Sequence, residues 1–277
     1  MNTSSEIKEL VRQKYAEIAN QSKTANATSC CGATESCGEV YTIMADEYKG
    51  LEGYHPDADL GLGCGLPTQF AKIKKGDTVI DLGSGAGNDC FVARAETGET
   101  GKVIGIDMTP EMIEKARTNA EKRGFNNVEF RLGDIEKMPV TSEVADVVVS
   151  NCVLNLVPEK DKVFSEILRV LKPGGHFSIS DIVLTGSLPE KIRSAAEMYA
   201  GCVSGAIMKD DYLSQIRKAG FTNIVLQKEK PIIIPDAILL NYLSQEEVDQ
   251  FRSGTTGIYS ITVYAEKPAK CVPGVCC

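Results

Sequence analysis

The residues of this chain best suited to chemistry are ten cysteines and one glycine-rich stretch. The cysteines are Cys30, Cys31, Cys37, Cys64, Cys90, Cys152, Cys202, Cys271, Cys276 and Cys277, and the stretch is Val79-Ile80-Asp81-Leu82-Gly83-Ser84-Gly85-Ala86-Gly87. Thr78 to Asp81 predicts a short strand that is apolar on both sides and therefore buried. The glycines that follow let the backbone turn sharply and approach a ligand where side chains would clash. Asn88 to Glu96 predicts a helix, which puts the loop at a helix N-terminus, where free N–H groups favour acceptors. A second apolar strand, Lys102 to Ile106, ends in Asp107. An acidic side chain at that place is the usual partner of two ribose hydroxyls. Together they point to a nucleoside-containing cofactor.

Composition narrows the classes. The 277 residues allow one large domain with additions, and the net charge is −8 with no basic stripe interleaved with aromatics. Nucleic acid is excluded as a substrate on that basis. No apolar run has transmembrane length and Met1 to Asn20 lacks a signal-peptide core, so the expectation is a cytoplasmic protein with no membrane partner. In that compartment abundant cysteines serve metal binding or catalysis rather than a disulfide scaffold. With only two histidines, His55 and His176, a thiophilic ion would be held mainly by sulfur. Tyr54-His55-Pro56 reads as a turn with a satisfied imidazole, and His176 as the structural start of a strand.

The elements that must position these groups alternate. Ser4 to Gln21 carries Ile7, Leu10, Val11, Tyr15 and Ile18 on one helical face. Ser22 to Glu39, small and polar, predicts a loop holding Cys30, Cys31 and Cys37. After the second strand, Thr109 can cap a helix with Pro110 at its first position and Arg123-Gly124 as its stop. Val128 to Leu132 is the third strand, leading into Gly133-Asp134-Ile135. Ala145 to Ser150 is the fourth, running into Asn151-Cys152. Glu159 to Leu171 predicts a helix closed by Pro173-Gly174-Gly175, and His176 to Ile182 the fifth strand. Asp211 to Ala219 predicts a helix, Asn223 to Lys228 a strand, Ile238 to Arg252 a helix, and Ile258 to Ala265 an alternating strand. Strands alternating with helices imply a parallel sheet with right-handed crossovers.

Gly83, Gly85 and Gly87 alternate behind Asp81, which differs from the G-x-G-x-x-G spacing of dinucleotide folds. This pattern, followed by Gly105-Ile106-Asp107-Met108, resembles the class I S-adenosylmethionine-dependent methyltransferases. The resemblance implies an α/β, Rossmann-like, doubly wound, mostly parallel seven-stranded sheet with an N-terminal helix and C-terminal additions. The expected division is 1–65 for the N-terminal helix and cysteine-bearing loops, 66–220 for the cofactor-binding core, 221–270 for a strand–helix–strand completing the sheet, and 271–277 for a cysteine-rich tail.

In an open parallel sheet, ligands bind at the carboxyl ends of the strands. Cys152 follows the fourth strand directly and so faces the transferable group. Cys202, in Ala200-Gly201-Cys202-Val203-Ser204-Gly205, and Cys64, in Gly61-Leu62-Gly63-Cys64-Gly65-Leu66-Pro67, lie in small-residue loops unlike those of ordinary buried cysteines. Cys90, inside the helix after the glycine loop, reads as core. The segments around Cys64, Asp81 to Cys90, Ser150-Asn151-Cys152-Val153-Leu154-Asn155-Leu156 and Gly201-Cys202 resemble the arsenite S-adenosylmethionine methyltransferases, from the first helix to about Pro268. The resemblance implies that Cys152 and Cys202 hold trivalent arsenic, with Cys64 as a further ligand. It also implies that Cys64 with Cys30 or Cys31 supplies reducing electrons, closing a disulfide that thioredoxin or glutathione resets.

On the cofactor side, the same resemblance puts Asp81, Gly83, Ser84, Gly85 and Gly87 at the methionyl end of S-adenosyl-L-methionine, consumed as methyl donor. Asp107 takes the ribose with Met108 beside it, Asp134 and Ile135 flank the adenine, and Asn151 lines the methionyl pocket. Arsenite or its thiol conjugates are the implied substrate, and a monomer the expected state. Two other readings stay open: a methyltransferase of a small metabolite with incidental cysteines, and a thiol-based metalloid- or zinc-binding protein.

Overall fold

The structure is a computed structural model that describes residues 4–20, 48–191 and 205–269. Helix α1 (Ser4–Ala19) and the short α2 (Pro67–Phe70) precede strand β1 (Thr78–Leu82). Then come α3 (Asn88–Thr97), β2 (Lys102–Asp107), α4 (Pro110–Glu121), β3 (Val128–Leu132) and β4 (Ala145–Asn151). A 3₁₀ turn at Leu154–Leu156 leads to α5 (Lys160–Val170), β5 (Leu171–Thr185), α6 (Lys209–Lys218) and β6 (Thr222–Ile232). Helices α7 (Asp236–Leu239) and α8 (Gln245–Ser253) precede β7 (Gly257–Glu266). Among the described residues no helix is long and apolar enough to cross a membrane.

The seven strands form one sheet in the order β3-β2-β1-β4-β5-β7-β6, parallel except for β7, which runs antiparallel to both neighbours. Side chains alternate between two cores, as the two-residue period of a strand requires. Ile80, Leu82, Ile104, Ile106 and Val148 face Phe164 and Ile167 of α5 and Tyr212 of α6. Val79, Val103, Val147 and Val149 face Phe91 of α3 and Ile113 and Ala116 of α4. A sheet covered on both faces explains why its central strands read as continuous apolar runs. Register brings Leu82 opposite Ser150, Asp81 opposite Gly105 and Asn151 opposite Ser180, so the carboxyl ends of β1, β2, β4 and β5 form one edge.

The fold class expected from the sequence is the one observed, and two local expectations are corrected. Strand β5 starts at Leu171, ahead of the Pro-Gly-Gly expected to precede it. The pairs Ala145↔Leu171 and Val147↔His176 show why: Pro173, Gly174 and Gly175 are absorbed in a bulge, where Gly174 takes φ 81° and a Cβ on Gly175 would meet the Asp146 carbonyl at 2.9 Å. The helix expected over Ile238 to Arg252 is two helices. A capping box divides them: Ser244 Oγ accepts from the Glu247 N–H and Glu247 Oε2 accepts from the Ser244 N–H at 2.8 Å. Strand β6, which the sequence has beginning over Asn223 to Lys228, runs on to Ile232 through Pro231, a residue that edge strands tolerate.

One buried charge lies apart from the sheet edge. Asp181 on β5 is fully buried; its carboxyl accepts from the Tyr212 hydroxyl at 3.2 Å and from the Ile182 N–H at 3.1 Å. Burial pushes this carboxyl up to about 7, opposed by the Lys160 ammonium and those two hydrogen bonds. An unfolded aspartate titrates near 4, so the folded chain keeps a proton that the unfolded chain releases. Stability from this group is therefore greatest at low pH and falls as pH rises from about 4 to about 7. Asp181→Asn removes that slope. Urea denaturation between pH 4.5 and 8 should show the difference between variant and wild type moving in favour of asparagine by up to roughly 3 kcal/mol. A difference independent of pH would refute the buried proton.

Candidate active site

At the edge between β1 and β4 the chain leaves in opposite directions, toward β2 on one side and β5 on the other, which opens a crevice. The glycine loop occupies it. Gly83, Gly85 and Gly87 have φ of 65°, 50° and 98°, a region L side chains rarely adopt. A Cβ at Gly83 would also lie 2.6 Å from a Val153 methyl. The loop is tied down by Ser84 N–H to the Ile106 carbonyl at 3.0 Å and Gly85 N–H to Asp107 Oδ2 at 2.9 Å. The other Asp107 oxygen accepts from the Thr109 N–H at 2.8 Å. Thr109 does precede α4, with Pro110 in its first turn, but its side chain makes no capping bond.

A cavity opens from this loop, lined by Asp81, Gly83, Ser84, Gly85, Asn88, Asp89, Asp107, Asn151, Cys152 and Val153, and completed by Tyr15, Tyr48, Asp59, Leu60 and Leu62. Of the expected cofactor residues, Gly87, Met108, Asp134 and Ile135 are not in its wall. Ile135 belongs to the hydrophobic core, and Asp134 forms an ion pair with Lys8 of α1 at 2.6 Å. Helix α1 is held beside the cavity by that pair and by Lys8–Glu136, while Tyr15 and Ile18 pack with Leu60, Ala86 and Met112.

Four carboxyls, Asp59, Asp81, Asp89 and Asp107, are buried in the wall, and the last three are raised above the usual carboxylate range. Burial pushes Asp81 well above the usual carboxylate range; the Asp89 charge adds to this and the Cys90 thiol, 3.2 Å away, opposes it. Burial raises Asp89 to about 6 against hydrogen bonds from Tyr48 and Asn151. Asp107 is raised by burial and held back by its backbone donors. Such a wall favours a cation, which would stabilise all three ionised forms. Ser84 Oγ and Asn88 Oδ1 are buried without a protein partner. A glycine cradle, two uncommitted polar atoms and an acidic β2 terminus fit a nucleoside cofactor that carries positive charge.

Cys64 and Cys152 lie together at the rim of this wall as a disulfide, with Cα atoms 5.7 Å apart. Both are buried, at 1% and 3% exposure, although their loop contexts suggested otherwise. They pack with Ile182, Ile232 and Ile258. The expected disulfide partners of Cys64 were Cys30 or Cys31; in the described structure its partner is Cys152, because the Cys64 loop is laid across the end of β4 within bonding range. Cys30, Cys31, Cys37, Cys202, Cys271, Cys276 and Cys277 lie outside the described residues. Cys90 is core, as expected, and the free cysteine among the described residues. His55 Nδ1 accepts from the Asp57 N–H at 3.2 Å and His176 Nε2 contacts the Ala71 carbonyl at 2.6 Å, so both have structural partners.

Two wall residues carried no role in the sequence reading. Tyr48 donates to Asp89 at 2.8 Å, and Asp89 sits in the first turn of α3. Asp89 has a sequence signal, its place just behind the glycine loop. Tyr48 has none, being far from that loop along the chain and in an aperiodic stretch.

A model of a methyltransferase domain matches residues 73–220. The arsenite methyltransferase of Halobacterium salinarum is 43% identical over 278 residues, covering 96% of this chain and 68% of that protein. The arsenite methyltransferase of Aquipseudomonas alcaligenes is 34% identical over 262 residues, covering 91% and 72%. The chain belongs to the arsenite methyltransferase family. The crystal structure of an arsenic (III) S-adenosylmethionine methyltransferase from Chlamydomonas reinhardtii superposes with a TM-score of 0.62 at 34% identity, covering 85% of this chain and 74% of that one. Family membership makes S-adenosylmethionine the cofactor, in agreement with the cation-favouring wall.

Gly83→Ala tests the cradle. The left-handed φ alone costs an alanine about 1 kcal/mol, and the Val153 contact adds to it. Calorimetry should show S-adenosylmethionine affinity lowered by at least about tenfold with the thermal transition retained. Unchanged affinity would mean the cofactor does not bind against this loop.

Proposed function

We propose that the chain transfers a methyl group from S-adenosylmethionine to trivalent arsenic held by the thiolates of Cys64, Cys152 and Cys202. The observation that carries this reading is the Cys64–Cys152 pair at the rim of the cavity, with Cys152 itself in the wall beside Asp81 and Gly83. The cofactor, when bound, supplies an electrophilic methyl on a positively charged sulfur. Asp81, Ser84 and Gly83 to Gly87 hold its methionyl end in this reading. Asp107, held by the Gly85 and Thr109 N–H groups, turns toward the ribose hydroxyls in this reading. The resemblance assigns the adenine side to Met108, Asp134 and Ile135, which lie outside the cavity wall, Ile135 in the core and Asp134 paired with Lys8.

Trivalent arsenic bound by thiolates is pyramidal and keeps a lone pair. No proton leaves such a nucleophile, so no general base is required, in contrast to oxygen and nitrogen acceptors. The cavity wall agrees in part: among the described residues it contains no histidine, and the carboxyls in it are committed to hydrogen bonds from Tyr48, Asn151 and loop N–H groups. The chain contributes position, setting lone pair and methyl at attack distance. Leu188 and Ala206, on either side of the segment that carries Cys202, both pack against the cluster containing Cys64 and Cys152. That supports Cys202 as the third ligand.

Methyl transfer raises arsenic from the trivalent to the pentavalent state. Return to the trivalent state takes two electrons, which a dithiol provides as it closes to a disulfide. Cys64 with Cys152, or with Cys30 or Cys31, fills that role, and thioredoxin or glutathione reopens the disulfide by thiol exchange. The reading includes a monomer working in a thiol-reducing cytoplasm.

The test incubates the protein with arsenite, S-adenosylmethionine and a thioredoxin system, then separates arsenic species by chromatography with elemental detection. Methylated arsenicals are expected, falling at least about 100-fold in Cys152→Ser and Cys202→Ser. Wild-type yields from both variants would refute thiolate ligation. Absence of methylated arsenic with cofactor binding intact would favour a small-metabolite acceptor.

A further inference from the structure

Asn151 ends β4, between the cavity and the thiols. Its Oδ1 accepts the Cys64 N–H at 3.0 Å and the Gly65 N–H at 3.2 Å. Its Nδ2 donates to the Gly65 carbonyl at 2.8 Å, the Tyr48 hydroxyl oxygen at 2.5 Å and Asp89 Oδ2 at 3.2 Å. A side-chain amide has two donor hydrogens and two acceptor lone pairs, so the protein consumes all of its capacity. Asn151 lines the cavity, yet its amide has nothing left for a cofactor. A Cβ on Gly63 would lie 2.6 Å from Nδ2, which shows how closely the backbone of the Cys64 loop is wrapped around this amide.

The opposite sulfur is fixed as firmly. Cys152 takes φ 61°, an uncommon conformation for a residue with a side chain, and its N–H donates to the Ser180 carbonyl at 2.8 Å. The Cys64 carbonyl accepts from Ser260 Oγ at 2.6 Å. Adjacent residues of one strand end therefore set both halves of the pair: Cys152 presents one sulfur and Asn151 holds the backbone that presents the other. Tyr48 and Asp89 orient the amide from the cavity side.

We propose that Asn151, oriented by Tyr48 and Asp89, is a positioning residue that fixes Cys64 against Cys152 and so sets the dithiol–disulfide equilibrium of the pair. The proposal rests on the geometry of the pair rather than on arsenic chemistry, so its failure would leave the arsenite reading standing. The exchange is balanced: two thiols and one oxidised glutathione give the Cys64–Cys152 disulfide and two reduced glutathiones. Holding the Cys64 backbone in place raises the effective concentration of one thiol at the other. A contact that merely supports the fold stabilises dithiol and disulfide alike; it moves the melting temperature and leaves the exchange constant where it was.

The experiment equilibrates the full chain with graded reduced and oxidised glutathione, traps free thiols by alkylation, and reads the Cys64–Cys152 linkage by peptide mass spectrometry. Asn151→Ala should lower the exchange constant at least about tenfold, about 30 mV for a two-electron couple. Tyr48→Phe, which removes one hydroxyl with little change in volume, should shift it the same way by about threefold. It also keeps the test decisive if the alanine variant does not fold. Wild-type exchange constants in the variants that fold, with lowered melting temperatures, would overturn the proposal and leave the amide a structural contact.

Discussion

Strands β1 and β4 lie side by side and parallel, and the chain departs from their carboxyl ends in opposite directions. No crossover helix can cover the edge between Leu82 and Ser150, and every part of the site depends on that uncovered edge. Asp81 approaches it from β1, Asp107 from β2, and Asn151 with Cys152 from β4. The glycine loop fills the crevice because only residues tolerant of positive φ can turn from β1 into α3 in so few steps.

Electrostatics at this edge runs against the simplest view of a helix N-terminus. Free N–H groups there attract acceptors. In the loop just ahead of α3, Gly85 donates to Asp107 and Gly87 to the Ser84 carbonyl. What remains in the wall is buried carboxyl, with Asp81 and Asp107 raised by desolvation and Asp89 brought to about 6. A ligand bearing positive charge relieves that desolvation. A methyl donor with a sulfonium centre has this character.

The thiol pair and the cofactor cavity are parts of one hydrogen-bonded unit. From Asp89 through Tyr48 and the Asn151 amide to the backbone of Cys64, each step is a direct bond of 2.5–3.2 Å. Tyr48, Asp89 and Cys64 are buried and Asn151 half-buried, so a fully buried member would cost about 1–3 kcal/mol if left unpaired. That cost keeps the Cys64 loop on β4 even though it is short of regular secondary structure. Ser260 and Ser180, from β7 and β5, complete the frame, so the antiparallel addition to the sheet also serves the thiols.

The sequence by itself determined the fold class, the glycine cradle and the acidic end of β2, because these follow from local rules: two-residue burial, φ preference and the ends of apolar runs. It also singled out Cys64 and Cys152 by their small-residue loops and by Cys152's place after a strand. The mate of Cys64, the role of Tyr48 and the commitment of the Asn151 amide were decided only by tertiary structure. Cys64 and Cys152 are 88 residues apart, and Asn151 reaches Tyr48 across 103. Pairing at that separation is set by which strand ends the sheet places side by side and leaves no periodic trace in either segment. Local errors had the same origin. Pro173-Gly174-Gly175 looks like a terminator when read alone, and becomes a bulge once Ala145 and Val147 hold β5 on either side of it.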